Sequence, residues 1–395
     1  RSECRTATRA ANVSLTCWPR PEGSSPTRTV APCLGQWQAG EFPSGLMTSR
    51  PCVVVNALPL DPRGGGVSTY IRNLLAALVP ELDADLIAAV RPSGCAELPD
   101  GVTPLERPES KGVRRAIDGA RGFGPCDLVH GLDVDLPVRR SCLRVATVHD
   151  MAIFDVPWAF PRFRVAGERV LVRSALRRAD AVIAVSAFTA ERVRAITGRD
   201  AVVVHEAPSP DMVPASVAEV ERVRAAYRLP ERFVLHVGNI EPRKDLVTLA
   251  EGCRLVGVPL VLTGLGLWET APPESVIEVG HVPATDLSAL YGAATLVGYA
   301  SRYEGFGLPP VEAMACGAAV VSTPVPAVAE VVGAGAATFI PGDIDGLAIV
   351  LSSLLEDDDL RAGLAAQGVE AVRTLSWNRA ARATADVYRS LGMAV

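Results

Sequence analysis

The chain has 395 residues, more than one hydrophobic core ordinarily serves, and its 49% hydrophobic and 21% charged content is that of a globular enzyme. Its 39 Lys and Arg against 44 Asp and Glu leave a formal charge of -5, which excludes nucleic acid as an expected partner. Nine cysteines without a CxxC pair point to reduced thiols in a cytoplasmic protein and argue against a structural metal site, and no run approaches the ~18 apolar residues of a membrane span.

Residues 1–46 have no hydrophobic periodicity and are rich in Arg, Ser, Thr and Pro. They lack the apolar core of a signal peptide. We expect a disordered extension, or sequence upstream of a start near Met47, with a transit peptide as the alternative.

From Pro51 onward the pattern is strand, loop, helix, repeated. "CVVVNA" fits a buried parallel strand. A glycine-rich loop follows, and then Val67, Tyr70, Ile71, Leu74, Leu75 and Leu78 recur at helical spacing. "DLIAAV", "DLVHGL", "LRVATVHD", "AVIAVS" and "AVVVHE" are further strands. A proline-rich link, 207–231, holds one helix, "VAEVERVRAAY". The alternation then restarts with "FVLHVG", "PLVLTG", "VIEVGHV", "TLVGYAS", "AAVVST" and "AATFI", and "SWNRAARATADVYRSL" is a last amphipathic helix. Two such blocks predict two doubly wound α/β domains, 47–210 and 211–377, with a terminal helix at 378–395. Ligands of such sheets bind in loops beyond the carboxyl ends of strands, here in a cleft between the domains.

Four loops carry candidate chemistry. Gly64, Gly65 and Gly66 lead from a strand into a helix, where free backbone amides suit an anion. The spacing Gly64, Gly66, Thr69 misses a dinucleotide fingerprint, and the second strand ends in Arg91 instead of an acid. His149 and Asp150 follow a strand in "TVHD", so His149 is placed to donate to a hydroxyl or to act as acid or base; a structural His-Asp turn is the alternative. In "VGNIEPRKDL", Gly238 ends a strand, and Arg243 with Lys244 forms a cationic pair suited to a diphosphate leaving group. In "YEGFGLPPVEAMACG", Glu304 and Glu312 flank a rigid corner. Pro309 or Pro310 fits the first helical position, which puts Glu312 in the first turn. Beside a diphosphate, the two carboxylates are better used as acceptors for hydroxyls on either side of it.

The ordered set "GGGVSTY", "TVHD", "RADAVIAVSAFT", "VGNIEPRKD" and "SRYEGFGLPPVEAMACGAAVV" resembles the retaining glycosyltransferases of family 4, from residue 51 to 391. The resemblance implies the GT-B fold, two Rossmann-like domains facing across a cleft, with the last helix crossing back to the first domain. It implies that the second domain holds a nucleotide-sugar. Glu312 would take the ribose hydroxyls, Glu304 a donor-sugar hydroxyl, and Arg243 and Lys244 the diphosphate. The amides of Gly305, Phe306, Gly307 and Leu308 would contact sugar and phosphate. His149 would reach the donor sugar from the opposite domain, His281 and Val282 would lie at the base, and the loop of Gly64 to Gly66 near phosphate or acceptor. This chain departs from the family in Asp245 after the Arg-Lys pair, in Ala300-Ser301 before the glutamate loop, in "CGAAVV" without proline, and in "HEAPSPD" for an asparagine-glycine turn.

The expected reaction is transfer of a hexose, with mannose from GDP-mannose favoured, to a glycan or lipid-linked acceptor, with no cofactor and no metal. The expected setting is the cytoplasm, with peripheral contact at the inner face of the cell membrane through the arginines of 162–178. A nucleotide-sugar isomerase or epimerase and a non-catalytic sugar-nucleotide-binding protein are the competing readings.

Overall fold

The computed structural model describes residues 50–109, 118–266, 268 and 272–395. The expectation for residues 1–46 falls outside the described residues.

Among the described residues the first sheet has seven parallel strands: β1 (Cys52–Asn56), β2 (Asp85–Val90), β3 (Thr103–Glu106), β4 (Leu128–Gly131), β5 (Leu143–Val148), β6 (Ala181–Ala184) and β7 (Val202–Val203). Their order is β3-β2-β1-β4-β5-β6-β7. The second has six: β8 (Val234–Val237), β9 (Leu260–Thr263), β10 (Val276–Gly280), β11 (Leu296–Tyr299), β12 (Val320–Ser322) and β13 (Ala336–Thr338), in the order β10-β9-β8-β11-β12-β13. Helices cover both faces of such sheets, so the central strands are continuous apolar runs; Val53, Val54 and Val55 are fully buried.

Each sheet reverses its winding beside its first strand. β1 lies between β2 and β4, and β8 lies between β9 and β11. A crevice opens beyond the carboxyl ends of the strands at such a reversal. The loops after β1, β8 and β11 are therefore placed at the crevices by topology alone.

The loop after β1 is held from behind. Arg91, buried at the end of β2, donates from Nε to the Leu58 carbonyl (2.9 Å) and from Nη2 to the Leu60 carbonyl (3.1 Å). The residue that spoiled a dinucleotide fingerprint thus shapes the glycine loop. That loop leads into α1 (Gly66–Leu78), which buries Tyr70, Ile71, Leu74, Leu75 and Leu78.

Along the rest of the chain come α2 (Ala152–Asp155), α3 (Arg162–Arg178), α4 (Ala187–Thr197) and α5 (Val217–Tyr227). A Ser216–Glu219 capping box starts α5. Then follow α6 (Leu246–Leu255), α7 (Ala284–Ala293), α8 (Leu308–Ala315), α9 (Pro326–Val332), α10 (Ile344–Glu356), α11 (Asp358–Val372) and α12 (Trp377–Ser390). α10 packs on α6 and α11 on α8, while α12 packs on α1. Trp377 meets Tyr70 edge-on at 5.8 Å, Tyr388 Oη lies 2.7 Å from His130 Nδ1, and Arg382 pairs with Glu81 at 3.0 Å.

One local expectation is corrected. α8 starts at Leu308, not at a proline, because Gly307 enters it with φ 100, a left-handed conformation that glycine adopts without strain. Pro309 and Pro310 then fall at the second and third positions, where an N–H still has no partner within the helix. Glu312 moves into the second turn, and no acid occupies the first. The helix-dipole explanation for Glu312 loses its basis, since that effect fades within one turn.

Candidate active site

A cavity of about 310 Å³ lies between the carboxyl ends of the two sheets. Every candidate catalytic or binding residue named from the sequence lines it. From the first sheet come Gly64, Gly65, Gly66, His149 and Asp150. From the second come Gly238, Arg243, Lys244, His281, Val282, Glu304, Gly305, Phe306, Gly307, Leu308 and Glu312.

The charged centre is a buried trio. Lys244 Nζ donates to Glu304 Oε1 at 2.6 Å and to the Tyr299 hydroxyl at 3.0 Å. Arg243 Nη1 donates to Glu304 Oε2 at 3.0 Å, and its Nε to Glu241 at 2.8 Å. Burial alone raises a carboxyl pKa, but Lys244 and Arg243 overrule it and hold Glu304 down to about 2. Glu304 is therefore ionised, and together with Glu241 on Arg243 it balances the two cations. Its backbone is set by Asp245, at φ 48, whose carboxylate accepts from Arg302 Nε at 2.8 Å. Asp tolerates that left-handed conformation almost as asparagine does, and here it adds an ion pair.

Glu312 sits in the opposite electrostatic state. Its one side-chain partner is the Tyr291 hydroxyl, which donates at 3.3 Å. Burial, aided by the charge of Glu206, pushes it up to about 8. The two carboxylates of the corner thus differ: one is locked as an anion, the other is held as an acid at neutral pH.

His149 differs from its expected role. Its Nδ1 donates to Glu206 Oε1 at 3.0 Å and its Nε2 to the Leu132 carbonyl at 2.9 Å. Two acceptors require both nitrogens to carry protons. Burial opposes that charge, but the hydrogen bond and charge of Glu206 raise the imidazole to about 9. With both N–H groups engaged, neither is free for a substrate hydroxyl in this arrangement. In its protonated form His149 adds positive charge to the cavity wall.

The two sheets meet at the glutamate loop. The Gly305 carbonyl accepts from Ser186 Oγ at 2.6 Å and Thr189 Oγ1 at 3.0 Å. The Tyr303 hydroxyl donates to Asp155 at 2.9 Å. Glu330 on α9 accepts from the amides of Ala187 (2.8 Å) and Phe188 (3.1 Å) at the start of α4, and pairs with His205 at 2.8 Å. A Cβ on Gly305 would stand 1.6 Å from the His149 carbonyl oxygen, so only glycine permits this approach.

Two helices, α1 and α8, begin at the cavity wall, and neither has a side-chain cap. The first amides of α1 are available to an anion, whereas α8, with prolines at its second and third positions, offers only the Leu308 N–H from its first three residues. Among the described residues no group of three or more His, Cys, Asp and Glu could hold a metal ion. Nor is any helix among them long and apolar enough to cross a membrane.

Glu206, Tyr291 and Tyr299 were not read from the sequence. Glu206 had a signal, an acid directly after a strand, but it stood in a segment taken only as a departure from a turn. Tyr291 and Tyr299 had none, because an aromatic within a buried helix or strand looks like core.

Two Rossmann-like sheets facing across a charged cavity are the arrangement of the GT-B fold. Residues 64–207 match the family described as Glycosyltransferase Family 4, and residues 219–370 match Glycosyl transferases group 1. The chain is 32% identical over 284 residues to O-antigen chain mannosyltransferase B of Escherichia coli, covering 67% of this chain and 74% of that protein. It is 30% identical over 237 residues to serotype-specific mannosyltransferase WbdA of Escherichia coli, covering 54% of this chain but 29% of that longer protein. Its fold matches the Anabaena Alr3699/HepE complex with UDP-glucose at a TM-score of 0.69 and 18% identity, over 86% of this chain and 99% of that one. The chain belongs to glycosyltransferase family 4.

Proposed function

We propose that this glycosyltransferase moves a hexose from a nucleoside-diphosphate sugar to a hydroxyl of a glycan or lipid-linked acceptor, with retained configuration and with mannose from GDP-mannose as the donor. The observation that carries the reading is the trio of Arg243, Lys244 and Glu304, set in one cavity with Glu312 and the start of α8. A diphosphate lying between the two glutamates meets two cations and the loop amides that end at Leu308, since Pro309 and Pro310 carry no N–H. Those groups stabilise negative charge as the sugar–phosphate bond lengthens. Glu304 accepts a donor-sugar hydroxyl while keeping both cations in place. Glu312, once ionised, accepts from the ribose hydroxyls.

No carboxylate in this scheme attacks the sugar, since Glu304 is held by two cations and Glu312 lies toward the ribose. The acceptor hydroxyl approaches on the face that the diphosphate leaves, which gives retention. The mannose preference is supported by the mannosyltransferase relatives, and the nucleotide-sugar by the UDP-glucose held in the Anabaena neighbour. Incubating the protein with GDP-mannose, UDP-glucose and other nucleotide-sugars tests the donor, through thermal stabilisation and nucleoside diphosphate release. Proton NMR of the product's anomeric centre tests retention. Stabilisation by none of them, or an inverted anomer, overturns the reading.

The lipid-linked acceptor is supported by α3, on which Arg162, Arg164, Arg173 and Arg177 are exposed, while Arg169 and Arg178 turn inward to backbone carbonyls. Phe163, Val170 and nearby Trp158 are exposed beside them. Such a face suits an anionic bilayer. Sedimentation with vesicles containing phosphatidylglycerol, against phosphatidylcholine alone, tests it; equal recovery with both removes the argument.

A further inference from the structure

A second reactive cluster stands outside the cavity. Cys126 lies two residues before β4 and Cys142 one residue before β5, and these strands pair in parallel with Leu128 beside Leu143. Adjacent strand entrances therefore bring the two thiols together, with Cys126 Sγ donating to Cys142 Sγ at 3.3 Å. Both residues are half-buried. They sit at the amino ends of the strands, opposite the loops that build the cavity.

We propose that Cys126 and Cys142 are a redox-active dithiol that closes to a disulfide by exchange with a low-molecular-weight disulfide. The geometry asks little movement, since the sulfurs at 3.3 Å need approach by only about 1.3 Å to reach bonding distance. The roles of the two sulfurs are unequal. Cys142 accepts from the Cys126 thiol and from Ser141 Oγ at 3.8 Å, and the positive charge of Arg144 is nearby. The hydrogen bond from Cys126, opposed by burial, brings Cys142 down to about 7, and its donor Cys126 is pushed up. Cys142 is thus the attacking thiolate and Cys126 the resolving thiol.

The exchange balances. The Cys142 thiolate attacks one sulfur of the small disulfide, forms a mixed disulfide and expels one thiolate. Cys126 loses its proton and attacks the Cys142 sulfur, expelling the second. Two protein thiols are oxidised and one disulfide is reduced to two thiols. A third thiol, Cys52, neighbours the pair, but burial and the charges of Asp127 and Asp85 push it up to about 11, which leaves it a poor nucleophile. The segment between the pair carries Leu132, whose carbonyl holds His149, so the bridge would fasten both ends of a segment that backs the cavity.

The test uses the full chain, reduced, folded and exposed to glutathione disulfide. The expected result is loss of two hydrogens in intact mass without retained glutathione. Trypsin cuts at Arg121, Arg139, Arg140 and Arg144, which leaves the two cysteines on separate peptides, so the Cys126–Cys142 link is read directly. Cys126→Ser should trap glutathione on Cys142, and Cys142→Ser should leave Cys126 unmodified over the same time. A link through Cys52 or any other cysteine, glutathione retained by the unsubstituted protein at either position, or a link formed only after denaturation overturns the proposal.

Discussion

Lys244 Nζ stands 2.6 Å from Glu304 Oε1, and both side chains are buried. An ammonium and a carboxylate so placed cannot be removed singly without leaving a charge in a poorly solvated site. Glu304→Gln should therefore destabilise the protein by about 3 kcal/mol or more, measured by urea unfolding. A nucleoside diphosphate should restore more stability to this variant than to the unsubstituted protein, because the ligand's charge replaces the lost anion. Equal restoration would mean that the diphosphate does not meet Lys244 and Arg243.

Lys244→Ala tests the leaving-group role separately. Removing one preorganised positive contact from the departing diphosphate should lower kcat by roughly 10²–10³. Turnover at the level of the unsubstituted enzyme, with donor saturating, would sink that role.

Glu312 makes donor binding pH-dependent. Its carboxyl is raised from 4.5 to about 8, so at pH 7 the empty site holds a proton that the ribose hydroxyls must displace. Nucleoside diphosphate affinity should rise with pH toward about 8, by up to ~tenfold per unit, and level off above it. Calorimetry in two buffers of different ionisation enthalpy should show proton release on binding. Glu312→Ala should weaken binding by ~1.5–3 kcal/mol and remove the slope. The stability sign is opposite: the folded state holds this proton more tightly than the unfolded chain, so stability falls as pH rises from about 4.5 to about 8. A flat affinity profile would remove Glu312 from the ribose.

Much of the architecture was legible because parallel strands buried on both faces write themselves as runs such as CVVVN and LVLT. The position of the site followed from the loops that end those runs. Charge state was not legible. Glu304 and Glu312 look alike in sequence, and their pKa values separate because Lys244 and Arg243 fold onto one, while the other is buried with no cation beside it and with Glu206 nearby. The second-turn position of Glu312 was hidden for a similar reason, since Gly307 could not be read as left-handed from two glycines and two prolines. Glu206 joins His149 across 57 residues, beyond the reach of any local pattern.

That pair yields a prediction of its own. Glu206 raises His149 to about 9, and the stabilisation this represents is complete below the ordinary imidazole value of 6.5 and lost as pH rises through about 9. Glu206→Gln keeps the shape but removes the charge. The His149 resonance should titrate at lower pH by NMR, and the alkaline limb of kcat/KM should move down with it. An unmoved limb would show that the imidazolium of His149 does not govern activity.

Gly305 tests whether the two sheets must meet. In Gly305→Ala the new Cβ would fall 1.6 Å from the backbone oxygen of His149, an atom that cannot swing aside as a side-chain tip can. The loop must retreat, which loosens the bonds from Ser186 and Thr189 to the Gly305 carbonyl and displaces Glu304, the preceding residue. A shift of about 1 Å in positioning groups can cost on the order of 10²-fold in rate, and kcat/KM should fall by that much. The radius of gyration from small-angle scattering should increase, since the lost contacts are those between the sheets. Gly122→Ala is the control, because a Cβ there meets nothing within 4 Å and should leave the melting temperature and radius unchanged. If Gly305→Ala keeps the radius of gyration and full kcat/KM, the close approach of the two loops is not needed for transfer.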